Sequence, residues 1–505
     1  MTVTEAVAIK DGKIIETGKE RHIMNKYSAN EYVDAKGRAV YPGFFDAHCH
    51  ILNYGKTFIE VDLRNCKSWE ECVQKTKEFA AKNKSAWIRG RGWDQNEWAV
   101  KEFPTNELLN AAFPNTPVYL TRVDGHAAIV NQIALDKAGI TVLTSVSGGT
   151  VITKGDNPTG VLIDNAMELV KSKMPNLSKA EIEKALSFAG ANTTSYGLTT
   201  LCDAGSEIGV FKIMEQMQAK NMFMPKVYGM LVPDKDGFAF AAKNGIYETE
   251  KMIIRSFKIV SDGALGSRGA CLKEPYSDAH EVMGKLLLTE KGLDSLIAKM
   301  YDLGYQVNTH CIGDSSNALM LRLYAKYLEK TNDYRWRIEH AQIMDVKDMG
   351  NFAKYSIIPS VQPTHAVSDM PWALDRVGNK RIKGAYLFKT LLNQNGMIAL
   401  GTDFPVEEIN PFKTFYAAIS RKYYDGKPIT GLQNEVLTRE EAFMGMSKWA
   451  AMAAFMLEKT GTLEKGKAAD IMILDRDIMK VDEKDILSTM VIATFINGKR
   501  VHSLE

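Results

Sequence analysis

Two histidines lie two residues apart at the end of an apolar stretch, AVYPGFFDAHCH, in which they are His48 and His50. Side chains at positions i and i+2 of a β-strand point to the same face. If this stretch is a strand, two imidazoles emerge side by side at its end. Neutral imidazole is a preferred ligand of Zn²⁺ and related divalent ions, so the pair predicts a metal site.

Four further segments also carry candidate ligands. Three of them run from apolar, strand-like residues into a His or Asp and then into a helix-like segment, and a fourth carries a lysine on its strand. The residues are His310 in YQVNTHCIGD, His340 in RWRIEHAQ, Asp403 in IALGTDFPV and Lys258 in FKIVSDGALGS. Together with His48 and His50 they exceed what one tetrahedral ion uses. A metal in such a site polarises a carbonyl and activates water, which predicts a metal-dependent hydrolase.

The elements that position these residues form a regular series. Helix and strand signals alternate from about residue 178 to about 456, with capping boxes at Ser178–Glu181 and Thr438–Glu441 that predict helix starts. With AVYPGFFDAHCH the strand-like segments number eight, the others being LTTLCDAG, PKVYGML, RSFKIVSDG, YQVNTHC, RWRIEHA, YSIIPSVQP and MIALGTD. The series predicts an α/β fold, a (β/α)8 TIM barrel with its candidate ligands at the carboxyl ends of the strands.

Such a barrel needs only about 250 residues, whereas the chain has 505. We therefore expect the barrel over residues 42–456, with residues 51–177 inserted after its first strand as a domain over the active site. Both ends of the chain have strand-and-turn character, so residues 1–41 and 457–505 are predicted to combine into a small β-sandwich-like domain.

Composition and charge narrow the classes of binding partner to expect. The formal net charge is +2, with 45% apolar and 25% charged residues, which favours neither nucleic acid nor an acidic membrane surface. The longest apolar runs fall short of the roughly 20 residues that a membrane span needs. The N-terminus lacks the charged and apolar regions of a secretory signal, and the six cysteines form no CxxC pair. We expect a cytoplasmic protein with a small-molecule substrate, and the sequence leaves a homodimer open.

The composite of DAHCH, THCIGD, RIEHAQ and GTDFPV resembles the amidohydrolase superfamily. Further stretches resemble its YtcJ-like (amidohydrolase 3) branch, namely GRGWDQNEW, RVDGHAAIVN, NPTGVLIDNAM, SDGALGSRGACLKEPYSD and SVQPTHAVSDMPW. The likeness covers nearly the whole chain in the same order. It implies one or two divalent ions, usually zinc, in a (β/α)8 barrel.

By the pattern of that family, His48 and His50 bind one ion, and His310 and His340 bind the other. Lys258, as a carbamate formed with carbon dioxide, bridges both ions. Asp403 ligates one ion and handles protons.

Each residue also has a plain alternative. Lys258 alone reads as a solvated surface lysine, and Asp403 as a turn or helix-capping residue. His365, in QPTH, is interpreted either as a substrate contact or as a structural hydrogen-bonding residue. The same two interpretations apply to His126 and Arg268, and Asp124 is a further candidate for a polar substrate contact. Trp93, Trp98, Phe103 and Tyr119 either line a substrate pocket or form the core of the insertion.

The predicted reaction is cleavage of a C–N bond in a small, mostly uncharged substrate, with an N-substituted amide or formamide as the first candidate. Two other classes stay open at this point. One is non-hydrolytic chemistry on the same barrel, such as decarboxylation or isomerisation, because a metal site polarises many carbonyls. The other is a binding protein that has lost its chemistry, which predicts missing ligands.

Overall fold

The computed structural model describes residues 3–83, 86–429 and 433–504. The strands are β1 (Ala6–Lys10), β2 (Lys13–Gly18), β3 (Ala39–Pro42), β4 (Phe44–Cys49), β5 (Val61–Asp62), β6 (Ile88–Trp93), β7 (Val118–Arg122), β8 (Ala127–Val130), β9 (Gly149–Lys154), β10 (Asn157–Asp164), β11 (Leu198–Ser206), β12 (Lys226–Leu231), β13 (Tyr247–Glu248), β14 (Met252–Val260), β15 (Gln306–Cys311), β16 (Arg337–His340), β17 (Ile358–Val361), β18 (Ala399–Leu400), β19 (Ile471–Leu474), β20 (Val491–Ile496) and β21 (Lys499–Ser503).

The α-helices are α1 (Glu20–Lys26), α2 (Ile51–Lys56), α3 (Trp69–Lys82), α4 (Glu107–Ala112), α5 (Gln132–Ala138), α6 (Ala166–Lys171), α7 (Lys179–Ser195), α8 (Ile208–Ala219), α9 (Lys235–Asn244), α10 (Glu290–Asp302), α11 (Asp314–Tyr324), α12 (Gly350–Lys354), α13 (His365–Ser368), α14 (Met370–Arg381), α15 (Phe388–Asn395), α16 (Pro411–Ser420), α17 (Arg439–Gly445), α18 (Lys448–Ala453) and α19 (Glu483–Ile486). The predicted capping boxes are present: Ser178 accepts from Glu181 N at the start of α7, and Thr438 accepts from Glu441 N at the start of α17.

Eight parallel strands form the barrel, in the order β4, β11, β12, β14, β15, β16, β17, β18, and the short β13 pairs with β14 beside them. The first and last strands meet through backbone hydrogen bonds. Asp403 N donates to His48 O over 2.8 Å, and His50 N donates to Phe404 O over 2.9 Å. Gly401 permits this approach, since a Cβ there would lie 2.5 Å from His48 N. The eight strands are the predicted ones, and the (β/α)8 barrel is confirmed.

The strands read as continuous apolar runs because both of their faces are covered. Every residue of β4, β12 and β15 is buried, as expected of parallel strands packed between a barrel interior and an outer layer of helices. The polar residues among them therefore lie in the interior, and each needs a partner there.

A six-stranded sheet of its own, in the order β5-β6-β7-β8-β10-β9, follows the first barrel strand. It has a separate apolar core that includes Val61, Leu109 and Ile163. This is the predicted large insertion. Helix α2 lies inside the predicted range 51–177 but packs on α7 of the barrel, where a Cβ on Gly55 would lie 2.3 Å from Ala185 O. The exact domain boundaries stay predictions.

Segments from both ends of the chain combine, as predicted, into a small antiparallel β unit. Strand β3 pairs with β19 in a sheet of order β21-β20-β19-β3. The hairpin of β1 and β2 packs on it through Ile14, which shares a buried cluster with Ile471 and Phe495.

Candidate metal centre

The barrel brings all six predicted ligand residues to the carboxyl ends of its strands. His48 lies near the end of β4 and His50 follows it, Lys258 is in β14, His310 is in β15, His340 ends β16, and Asp403 follows β18. Five of the six are buried, and His50 is the partly exposed one. This is the face of a (β/α)8 barrel on which active sites occur.

The ligand side chains are close enough to one another to share metal ions. Asp403 Oδ1 is 3.6 Å from His48 Nε2 and 3.3 Å from His50 Nε2. Lys258 Nζ is 3.3 Å from His48 Nε2, and the ring centroids of His310 and His340 are 4.6 Å apart. Within the described part of the chain, two sets of three ligand atoms lie within 4.8 Å of one another: His48, His50 and Asp403, and His340, His365 and Asp403.

His365 is thus part of the cluster, although its predicted role was a substrate contact or a structural hydrogen bond. Its Nε2 is 3.4 Å from Asp403 Oδ2, and its ring is nearly parallel to that of His340 at 5.7 Å. It begins α13, the helix that follows β17 in the chain. Burial alone would lower its pKa, but the nearby carboxylate of Asp403 raises the pKa of His365 to about 9.

Other buried polar groups fix two imidazoles in orientation. His48 Nδ1 donates to Glu339 Oε2 over 2.5 Å, and His340 Nδ1 is 2.6 Å from Gln362 Oε1. Each ring therefore turns its Nε2 toward the cluster. Metal-ligating histidines in general engage their other ring nitrogen in this way. Sequence reasoning did not identify Glu339 or Gln362, although Glu339 directly precedes His340.

Glu339 is itself held by a buried cation. Arg337 Nε and Nη2 donate to its two carboxylate oxygens over 2.6 and 2.9 Å. Burial alone would raise the pKa of Glu339, but the guanidinium of Arg337 and then His48 hold it well below its ordinary value. Glu339 is therefore an anion, and it orients His48 by accepting the hydrogen bond of the ring nitrogen that faces away from the cluster.

The charge states suit metal binding. Burial lowers the pKa of His48 to about 4, and burial also lowers the pKa values of His310 and His340 well below the usual range. Burial would raise the pKa of Asp403, but the neighbouring histidines, His48 first, hold it well below the ordinary value. Neutral imidazoles beside an ionised carboxylate are the forms that ligate.

Three buried atoms of the cluster have no hydrogen-bond partner among the described residues: His310 Nε2, His365 Nε2 and Asp403 Oδ1. Buried polar atoms without partners are costly and uncommon. A divalent cation held by Asp403 and the neighbouring histidines would give such atoms a partner, and the donor set of imidazole and carboxylate matches zinc chemistry. The residues present therefore fit a metal centre.

We expect Glu339→Gln to weaken metal binding by roughly 10- to 100-fold, because it removes the charge that orients His48. It also leaves Arg337 without a counter-charge, at a cost of about 3–5 kcal/mol in the free energy of unfolding. A competition titration with a chelator and urea unfolding measure the two effects.

Asp470→Asn is the matched control. It breaks another buried ion pair, Lys226 Nζ to Asp470 Oδ2 at 2.5 Å, at the amino end of β12. The free energy of unfolding should fall, whereas metal affinity should stay unchanged. Equal metal affinity in Glu339→Gln and the parent would contradict the orienting role of Glu339.

The insertion reaches this centre through His126. Its ring centroid is 5.1 Å from that of His310, and its Nδ1 is 2.7 Å from Asp164 Oδ1. Asp124 accepts from His126 N and pairs with Arg122. His126 and Asp124 thus lie beside the centre as predicted for substrate contacts, and those roles stay predictions.

Arg268 has a partner in the loop after β14. Its Nη2 lies 3.0 Å from Asp278 Oδ2, and Asp278 also pairs with Arg376. The structure brings Arg268 into a network of charges beyond the ligand cluster, and its predicted substrate contact is a proposal.

Trp93 does not offer its side chain to a pocket. It is fully buried in the core of the insertion, and its Nε1 donates to Leu120 O over 2.8 Å. Trp98 is buried in the same core, Phe103 packs against it, and Tyr119 is buried in a neighbouring cluster. Alternation alone would set Trp93 on the face of Arg91, but β6 shifts register between these two residues, at Gly92 with a φ of 114°, and Trp93 turns into the sheet's own core. The structure thus favours the core role over the predicted substrate contact.

Replacing Trp93 by alanine is therefore expected to cost about 3–5 kcal/mol of stability through the cavity it leaves. Thermal unfolding should show a large fall in Tm. An unchanged Tm together with a selective loss of affinity for aromatic substrates would restore the pocket role.

A parallel eight-stranded barrel with histidines, a lysine and an aspartate converging at its strand ends defines a metal-dependent hydrolase. The model of the amidohydrolase family matches residues 31–502. The chain belongs to that family.

Relatives span nearly the whole chain. It is 31% identical to a putative amidohydrolase, YtcJ, of Bacillus subtilis (strain 168), over 99% of this chain and 96% of that protein. It is 23% identical to an N-substituted formamide deformylase of Arthrobacter pascens, over 98% and 94%. Among solved structures, an uncharacterized metal-dependent hydrolase from Pyrococcus horikoshii OT3 is similar with a TM-score of 0.78 and 28% identity, over 94% of each chain.

None of the helices in the described ranges has both the length and the apolar character of a membrane span.

Proposed function

We propose that this enzyme hydrolyses the C–N bond of a small N-substituted amide or formamide at a centre of one or two divalent ions, with zinc as the expected metal. The observation that carries the proposal is the convergence of six potential ligands, most of them buried, at the carboxyl ends of the barrel strands. The formamide substrate is supported by the relative whose name specifies that activity. A cytoplasmic location and a homodimer stay predictions.

The ligands divide by position. His48 and His50 share Asp403 Oδ1 as a neighbour, which supports their holding one ion with that carboxylate. His310 and His340 lie side by side and are proposed for the other. His365, next to Asp403, is kept as a contact for substrate or for the carboxylate.

Lys258 is proposed to bridge as a carbamate. Its amine must be neutral to form the N–C bond to carbon dioxide, and the step releases one proton and leaves a carboxylate. Burial lowers the pKa of Lys258, which favours the neutral amine. Nζ lies 3.3 Å from His48 Nε2, so the added carboxylate would stand among the histidines.

When bound, the metal supplies Lewis acidity toward the amide carbonyl and makes water acidic enough to attack near neutral pH. Asp403 is the proposed proton carrier. Its carboxylate accepts the proton of the attacking water and delivers it to the amine nitrogen as the C–N bond breaks. The products are a carboxylate and an amine.

Heavy-oxygen water tests the reaction. The metal-loaded enzyme is incubated in it with N-substituted formamides, N-substituted amides, lactones and phosphoesters, and products are weighed by mass spectrometry. We expect the amides or formamides to react and each carboxylate product to gain one heavy oxygen. Turnover without label would favour the non-hydrolytic alternative, and turnover of lactones or phosphoesters alone would overturn the C–N assignment.

A further inference from the structure

Arg91 lies on the insertion close to the metal centre. It is in β6, and its Nη2 donates to Val123 O over 2.6 Å. Gly125 follows so near that a Cβ there would lie 3.5 Å from both Nη atoms. The next residue is His126, whose ring is 5.1 Å from that of His310. One short turn therefore separates this guanidinium from the ligand cluster.

Several arginines of the surrounding region have carboxylate partners. Arg122 lies 2.5 Å from Asp94 and from Asp124, Arg64 lies 2.7 Å from Asp62, and Arg268 and Arg376 share Asp278. Within residues 3–83, 86–429 and 433–504, Arg91 and Arg89 of β6 form no ion pair, and the buried Nε of each has no hydrogen-bond partner. Of the two, Arg91 is the one that lies beside the turn leading to His126.

The Arg91 side chain is partly exposed and its Nε is buried, so its guanidinium is accessible to an anion that could supply the opposite charge. Burial lowers the pKa of Arg91, and the acids that counter this, Asp124 first and then Asp403, act from beyond ion-pair distance. A guanidinium with donors left over forms a planar fork that fits a carboxylate. A carboxylate would match the donors that Arg91 has left over.

We propose that Arg91 binds a carboxylate carried by the N-substituent of the substrate, so that the substrate class is N-acyl or N-formyl amino acids. This inference rests on the proposed amide hydrolysis. It replaces the expectation of a mostly uncharged substrate held by aromatic rings, because those rings lie in or against the insertion's own apolar clusters. The insertion instead places the guanidinium of Arg91 on the side of its sheet that faces the barrel.

The test compares N-formyl amino acids with the carboxamides of the same compounds. The parent enzyme should prefer the acid, measured as the acid-to-amide ratio of kcat/KM. In Arg91→Gln that ratio should fall on the order of 10- to 100-fold, the value of a charge-assisted contact. Arg91→Lys, which keeps the charge but not the fork, should lose less.

Arg89→Gln is the matched control. Arg89 is two residues earlier on the same face of β6, and its Nη2 donates to Pro175 O, so the acid-to-amide ratio should not change. Thermal unfolding of all three variants reports whether the fold is intact. Should Arg91→Gln fail to fold, the ratio in Arg91→Lys decides.

Two failures are distinguishable. Equal turnover of acid and carboxamide, with no change in Arg91→Gln, would overturn the role of Arg91 and leave amide hydrolysis standing. No turnover of either would count against the proposed function. In that case calorimetry measures the affinities of the acid and the carboxamide for the metal-loaded parent and for Arg91→Gln. Equal affinities of the two compounds for the parent would overturn the carboxylate site at Arg91.

Discussion

The variant Lys258→Ala is expected to lose one metal ion per chain and to reduce kcat by roughly 1,000-fold or more, since a catalytic metal contributes several kcal/mol to the transition state. Lys258→Arg should not restore activity, because a guanidinium stays cationic and does not take up carbon dioxide under these conditions. Elemental analysis and steady-state kinetics measure both effects.

A small carboxylate offers a sharper control for the carbamate. Propionate added to Lys258→Ala can supply the carboxylate that the modified lysine would provide, so part of the metal and the activity should return. It should have no such effect on the parent. Normal metal content and turnover in Lys258→Ala would make Lys258 a structural lysine.

The variant Asp403→Asn is expected to lower kcat by about 10²- to 10⁴-fold, the usual contribution of a positioned acid–base group, with a much smaller change in KM. Asparagine keeps a carbonyl oxygen but accepts no proton near neutral pH. Metal content measured on the same sample separates loss of the proton carrier from loss of a ligand. A loss confined to KM would assign Asp403 to substrate binding.

The barrel could be predicted from the sequence because its signals are local. Each strand is a short apolar run, and His48, Lys258, His310, His340 and Asp403 stand at or near the ends of such runs. Strand ends share one face of a parallel barrel, so their convergence follows from topology alone.

The supports of the ligands could not be predicted in the same way. Glu339 contacts His48 across 291 positions of sequence, and alternation along β16 sets Glu339 and His340 on opposite faces. The backbone of His340 breaks that alternation with a φ of 71°. The residue type does not predict this conformation. Both side chains therefore serve the same centre.

The insertion shows a second limit. GRGWDQNEW does not reveal which face of β6 meets the barrel. Trp93 points into the core of the six-stranded sheet, whereas Arg91 is directed toward the loop that ends at His126. Large aromatic side chains are attractive candidates for a pocket, but a sheet also uses them to bury its own apolar face.

Metal content measured together with activity tests the central claim most directly. Freshly purified protein should contain up to two divalent transition-metal ions per chain, a chelator should remove them and abolish turnover of an N-substituted formamide, and added zinc should restore it. Protein freed of metal to below one ion in a hundred chains that kept full activity would contradict the account.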